Sequence, residues 1–147
     1  MAKYVIATVK DAQIRSVFQF ALELSEKHVK NLKEIFKQEN FPIPNGFTEK
    51  DVNLEAPPLF TDAFWLEYIH GLIHIGLSGF SLTLSVSVRQ DIRDYFYQCN
   101  IDVMDLNNKI IDTQFSKGLY HPPPYYSTPK KVETSSLAWI LALVFAT

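Results

Sequence analysis

The sequence predicts an all-α protein, an antiparallel up-down four-helix bundle whose first helix is truncated. Three observations carry this. All eight prolines fall between Pro42 and Pro58 or between Pro122 and Pro129. Residues 1–41 and 59–121 are therefore free of the residue that removes a donor and clashes inside a helix. Apolar residues recur every three or four positions through both blocks. A composition of 47% hydrophobic and 20% charged residues belongs to a chain that folds around a core, not to a disordered one.

The first block divides at Asp11. Ahead of it, residues 2–9 form an apolar piece of about two helical turns. Asp11 is the predicted N-cap of a helix over about 11–39. At ~100° per residue, Ile14, Phe18, Ala21, Ser25, His28, Leu32 and Phe36 share one face, with Glu23, Glu26, Lys27 and Lys30 opposite. Asn40 and Phe41-Pro42 stop it, and Pro44-Asn45-Gly46 reads as a turn. The stretch 47–59 is a long connection. Thr48 to Asp51 can make one helical turn, and Ala56-Pro57-Pro58 is extended, because proline disfavours helix in the residue before it. Such a connection has to run along the side of the bundle or across its end.

The second block starts at Thr61, a good N-cap. Residues 81–88 alternate polar and apolar as a half-buried strand does. The wider seam of Leu66, Ile69, Ile73, Leu77, Phe80, Leu84 and Val88 steps by three or four throughout, and this predicts a helix over 62–86. Ser87-Val88-Arg89-Gln90 then fits a capping box, with Asp91 adding negative charge to the first turn. The next helix spans 88–117, with Ile92, Phe96, Cys99, Val103, Leu106 and Ile110 on one face and Gly118 as its stop. Residues 119–131, with four prolines and three tyrosines, read as an extended strap. The chain thus divides into a bundle domain over 1–132 and an apolar tail over 133–147.

Charge and cysteine content exclude several functions. The net charge of −2 leaves no electrostatic footprint for nucleic acid or an anionic membrane surface. A single cysteine forbids an internal disulfide. The N-terminus lacks the apolar core of a signal peptide, so cytoplasmic synthesis is expected. The apolar run 137–145 is shorter than the roughly 20 residues a membrane span needs. The uncharged stretch 68–88 is long enough, but it carries His70, His74 and many Ser and Thr, and a polar helix follows directly; no membrane span is expected.

Helix bundles can hold a two-metal centre built from Glu-x-x-His motifs on two helices. One such motif is present, Glu67-Tyr68-Ile69-His70, with His74 one turn further along the same flank. Those three side chains could chelate a transition metal if the flank faced inward. On the helical wheel the set lies at the edge of the apolar seam or outside it. A second motif is missing, since Ser25, Gly71 and Gly118 stand three residues before His28, His74 and His121. The expectation is a structural set and no cofactor, with Glu67, His70, His74 and His28 as the candidate ligands if a metal does bind. His28, centred on an apolar face, needs a polar partner, for which Asn100 or Asn107 is placed. Cys99 should act as a small core hydrophobe. Tyr120, Tyr125 and Tyr126 could form a recognition segment or simply a packed strap. No catalytic set is complete, so no enzyme is predicted.

The loops carry a resemblance. Leu24-Ser25-Glu26-Lys27-His28, Phe41-Pro42-Ile43-Pro44 with Gly46-Phe47-Thr48 and Asp51-Val52-Asn53, and Ala56-Pro57-Pro58-Leu59-Phe60-Thr61-Asp62 occur in order. They are followed by Ser116-Lys117-Gly118-Leu119-Tyr120, Pro123-Pro124-Tyr125 and Pro129-Lys130-Lys131-Val132. Together they resemble the bacterial "domain of unknown function 3231" family of spore-forming bacilli, whose members are often labelled as spore coat proteins. The resemblance implies a ferritin-like four-helix bundle, often present as two tandem copies, and no established chemistry. The family's first helix begins upstream of the position of Met1, and its familiar ending gives way after Val132, so this chain resembles a single, clipped copy.

The resulting expectation is a non-catalytic structural or interaction domain associated with the spore coat; the alternative is a metal-binding bundle. A clipped first helix should leave parts of the 11–39 and 88–117 helices bare. Self-association with another copy is the favoured cover, the 137–145 tail the other candidate. No small-molecule ligand can be named from the sequence.

Overall fold

The computed structural model describes residues 1–125; residues 126–131 of the predicted strap and the 133–147 tail lie outside them. Four helices form: α1 (Ala2–Thr8), α2 (Ala12–Gln38), α3 (Asp62–Val86) and α4 (Gln90–Lys117), with a 3-10 turn at Glu49–Asp51. Among the described residues there is no strand. The alternation that begins at Ser81 is absorbed into α3 through Val86 because its hydroxyls bond back to the helix. Thr83 Oγ1 donates to the Gly79 carbonyl at 2.8 Å and Ser85 Oγ to that of Leu82 at 2.7 Å, so neither needs a neighbouring strand.

The helix ends follow local chemistry. Asp11 caps α2, its Oδ1 accepting from the backbone N–H of Gln13 at 2.9 Å and Ile14 at 3.1 Å. Gly118 closes α4 in the left-handed region at φ 64°, a conformation that favours glycine. The capping box expected at Ser87 does not form. Ser87 ends α3 in an extended conformation, and its hydroxyl donates back to the Thr83 carbonyl at 2.7 Å. Extended residues are needed to reverse the chain between the two helices, so α4 begins at Gln90 behind Arg89, which makes no side-chain cap bond. Val88 falls in that reversal and is 93% exposed; the apolar seam ends at Leu84.

The connection between α2 and α3 runs back along the bundle. At its far end the Tyr4 hydroxyl donates to the Pro57 carbonyl at 2.6 Å and accepts from the Leu59 N–H at 3.1 Å. Asp62 Oδ2 accepts from the backbone N–H of Lys10 at 3.0 Å and Asp11 at 2.7 Å. The start of α3 is thereby fastened to the start of α2, and Lys117, at the end of α4, pairs with Asp11 at the same place. Contacts such as Asp11–Lys117 and Lys27–Asp102 show α2 and α4 side by side in opposite senses. Glu67–Gln114 and Ser81–Asn100 show the same for α3 and α4, so α2 and α3 run parallel. The up-down order expected from the sequence fails for that pair because the long connection carries the chain back to the start of α2.

The core gathers around this joint. Val5, Ile14, Val17, Phe18, Leu66 and Ile110 are at most 2% exposed. Trp65 packs edge-on against Tyr4 and Phe18 at 6.3 and 6.4 Å, the T-shaped geometry that aromatic quadrupoles favour. All of the buried residues of α2 lie between Ile14 and Ala21. The seven residues of α1 cover about 10 Å of neighbours that run about 40 Å, and beyond Ala21 the expected apolar face stays open, with Leu32 exposed.

Two losses of stability are expected. Ile73→Ala should cost ~2–5 kcal/mol in denaturant melts, as truncation of a buried isoleucine does, since Ile73 is 5% exposed. Asp62→Ala should cost ~1–2 kcal/mol by leaving two backbone donors without their acceptor.

Candidate functional site

The polar groups of the bundle collect in two clusters, each spanning a pair of helices. The first is centred on Asp102 of α4, 6% exposed. Lys27 Nζ lies 2.9 and 2.8 Å from its two carboxylate oxygens, His28 Nε2 2.9 Å from Oδ2 and Gln98 Nε2 2.8 Å from Oδ1. Burial pushes the Asp102 carboxyl upward, but the hydrogen bonds from Lys27, Gln98 and His28 outweigh it and hold the group below the ordinary carboxylate value. The imidazole of His28 meets the rings of Phe80 and Tyr95 edge-on at 6.1 and 6.4 Å.

His28 is thus a core histidine with a polar partner, but the partner is Asp102 and not Asn100 or Asn107. Asn100 Oδ1 is taken by the Ser81 hydroxyl at 2.9 Å, which turns it toward α3. Lys27 also departs from its expected position opposite the apolar face. Its long stem reaches around α2 to the carboxylate, as amphipathic side chains do. The sequence reading missed Asp102; the available signal was an acid at the margin of the α4 apolar face, but helical periodicity alone does not say which helices adjoin.

The second cluster contains the Glu-x-x-His motif. Gln114 of α4, 2% exposed, donates from Nε2 to Glu67 Oε1 at 2.8 Å and lies 3.2 Å from His70 Nδ1. Burial, with the neighbouring His74, outweighs Glu67 and lowers the His70 pKa. The His70 and His74 ring centroids are 4.5 Å apart, and His74 is exposed. The α3 flank bearing Glu67 and His70 therefore faces α4, where Gln114 engages one oxygen of Glu67 and one ring nitrogen of His70. Among the described residues no group of three or more His, Cys, Asp and Glu side chains is arranged to hold a metal ion. Cys99 is 1% exposed, and burial pushes its thiol up, which disfavours the nucleophilic thiolate.

Beyond the N-terminal end of α1 a cavity of about 250 Å³ opens between α2, α3 and α4, lined by Phe18, Leu24, His28, Ile73, Phe80 and Leu106 among others. Its walls are almost wholly apolar, and His28 brings the Asp102 cluster to its edge.

The charge on Asp102 has a pH signature. Its folded-state pKa lies below the unfolded one, so its contribution is present above the unfolded pKa of about 3.9 and is lost as pH falls through the lower folded value. Asp102→Asn should cost ~1–3 kcal/mol at neutral pH. The gap between variant and wild type in urea melts should narrow below about pH 4.

No curated protein matches the chain. Among solved structures, that of a putative spore coat protein from Bacillus halodurans C-125 is similar, with a TM-score of 0.76 at 20% identity over 86% of this chain and 82% of that one. At this identity the likeness establishes the fold. The family described as protein of unknown function (DUF3231) matches residues 1–132, and the chain belongs to it.

Proposed function

We propose that this protein is a non-catalytic structural or interaction domain of the spore coat. The observation that carries the reading is how its polar interior is used. Asp102 takes three side-chain donors and Gln114 joins Glu67 and His70, so both clusters fasten helix to helix. Buried charge of this kind is retained where it sets which surfaces meet. The coat assignment draws on the label of the Bacillus halodurans structure, and the chain acts there through binding to other copies or other coat proteins.

A second reading, a metal-binding bundle using Glu67, His70 and His74, is favoured by one observation, the 4.5 Å spacing of the two imidazoles. Metal analysis of protein purified without a histidine tag separates the two. Stoichiometric iron, manganese or zinc, lost in His70→Ala, would establish the second.

For the first reading, a tagged copy expressed during sporulation of a Bacillus host should appear in the coat fraction extracted with detergent and reductant. Recovery in the soluble mother-cell or core fraction would overturn it.

A further inference from the structure

The outward face of α3 is touched within the described residues at its start, where Phe60 stacks on Phe64 at 4.4 Å. Phe64, Tyr68, Ile75, Leu82 and Val86 are 42–71% exposed, and at ~100° per residue they form one stripe along the whole helix. With side-chain areas of about 200 Å², those exposures amount to roughly 600 Å² of apolar surface. Patches on soluble monomers are typically ~300–600 Å², while a stable interface buries at least about 600 Å² per partner. The stripe has the size of one side of a small stable interface.

Two glycines lie in the same stripe. A Cβ added at Gly71 or at Gly79 would meet nothing within 4 Å. Glycine inside a helix is destabilising relative to alanine, and no packing within the described chain requires it at either position. Small residues on an outer face allow a second helix to approach closely.

We infer that α3 is a homodimer interface, packing antiparallel against α3 of a second copy about a two-fold axis at Ile75. The positions in the stripe are self-complementary about that residue. Under the two-fold, Phe64 faces Val86, Tyr68 faces Leu82 and Gly71 faces Gly79, each pair centred on residue 75. An isologous contact requires this property. No Asp, Glu, Lys or Arg occurs from Tyr68 to Val88, so no like charges are forced together. The antiparallel arrangement also opposes the two helix dipoles.

A bilayer is the less suitable occupant. By length and composition α3 could cross a membrane. To do so it would have to release the bonds to Gln114 and Asn100 that join it to α4. Lying in the membrane plane calls for a basic rim, which the stripe lacks.

The inference deepens the interaction-domain reading and rests on it for its biological use. The test is sedimentation velocity of the full chain from 1 to ~100 µM, with flotation on phosphatidylglycerol/phosphatidylethanolamine vesicles alongside. The wild type should sediment as a dimer and stay off the vesicles. Ile75→Glu places two like charges on the axis and should weaken dimerisation roughly a hundredfold or more. Leu82→Lys should also weaken it, and both variants should keep the wild-type circular dichroism, because these side chains are exposed. Under mild oxidation Ile75→Cys should give a covalent dimer with itself, whereas Cys99, buried, should not. A wild type monomeric at ~100 µM, a dimer indifferent to both substitutions, or flotation abolished by Ile75→Glu would each overturn the inference. A dimer found outside the coat sinks the coat reading alone, and a monomer found in the coat sinks this one alone.

Discussion

The fold depends on one joint where the ends of all four helices are tied. Asp11 caps α2 with one carboxylate oxygen and takes Lys117 of α4 with the other. Asp62, in the first turn of α3, accepts from the two backbone N–H groups between α1 and α2. Two acids thus satisfy donors at helix starts, where the backbone has no partners of its own. The lysine at the end of α4 completes the charge balance and holds the Asp11 carboxyl below its ordinary value, as do the capping N–H groups. Phe18, Trp65 and Leu66 are buried near this joint, and the buried residues of α2 and α3 lie in the half of each helix that starts there.

Further along the bundle, apolar packing thins and polar contacts decide alignment. Asp102 shows the balance plainly. An unpaired carboxylate there would cost several kcal/mol, but three donors from two helices keep it ionised. Such a group does little for net stability and much for register, since a one-turn slip of α2 would strip the carboxylate of both Lys27 and His28. Gln114 acts similarly between α3 and α4, where its amide meets Glu67 and His70.

The described residues present two apolar surfaces of different kinds. One is a recess of about 250 Å³ among α2, α3 and α4. The other is the convex stripe along α3, which no helix of the same bundle could reach because it faces away from the core.

The positions of the helices were legible in the sequence because they rest on local chemistry. Asp11 and Thr61 cap helices, Gly118 adopts the left-handed turn that stops one, and prolines are absent from the long blocks. The three-and-four spacing of Leu66, Ile69 and Ile73 identified the buried face of α3. The same reasoning failed where two local options compete. Ser87 fitted a cap but bonds backward to Thr83, and Val88 continued a seam but lies in the reversal. Trp65, off the seam as read, became core because Tyr4 and Phe60 of the returning connection pack against it. Long-range pairing was not legible at all. Which helix faces which is settled by the path of the 39–61 connection, so the partner of His28 changed from an asparagine to Asp102, and Glu67 and His70 met Gln114. Periodicity determines which face of a helix is apolar; only the assembled bundle decides whether that face meets another helix of the chain or stays bare, since that depends on contacts between residues far apart in sequence.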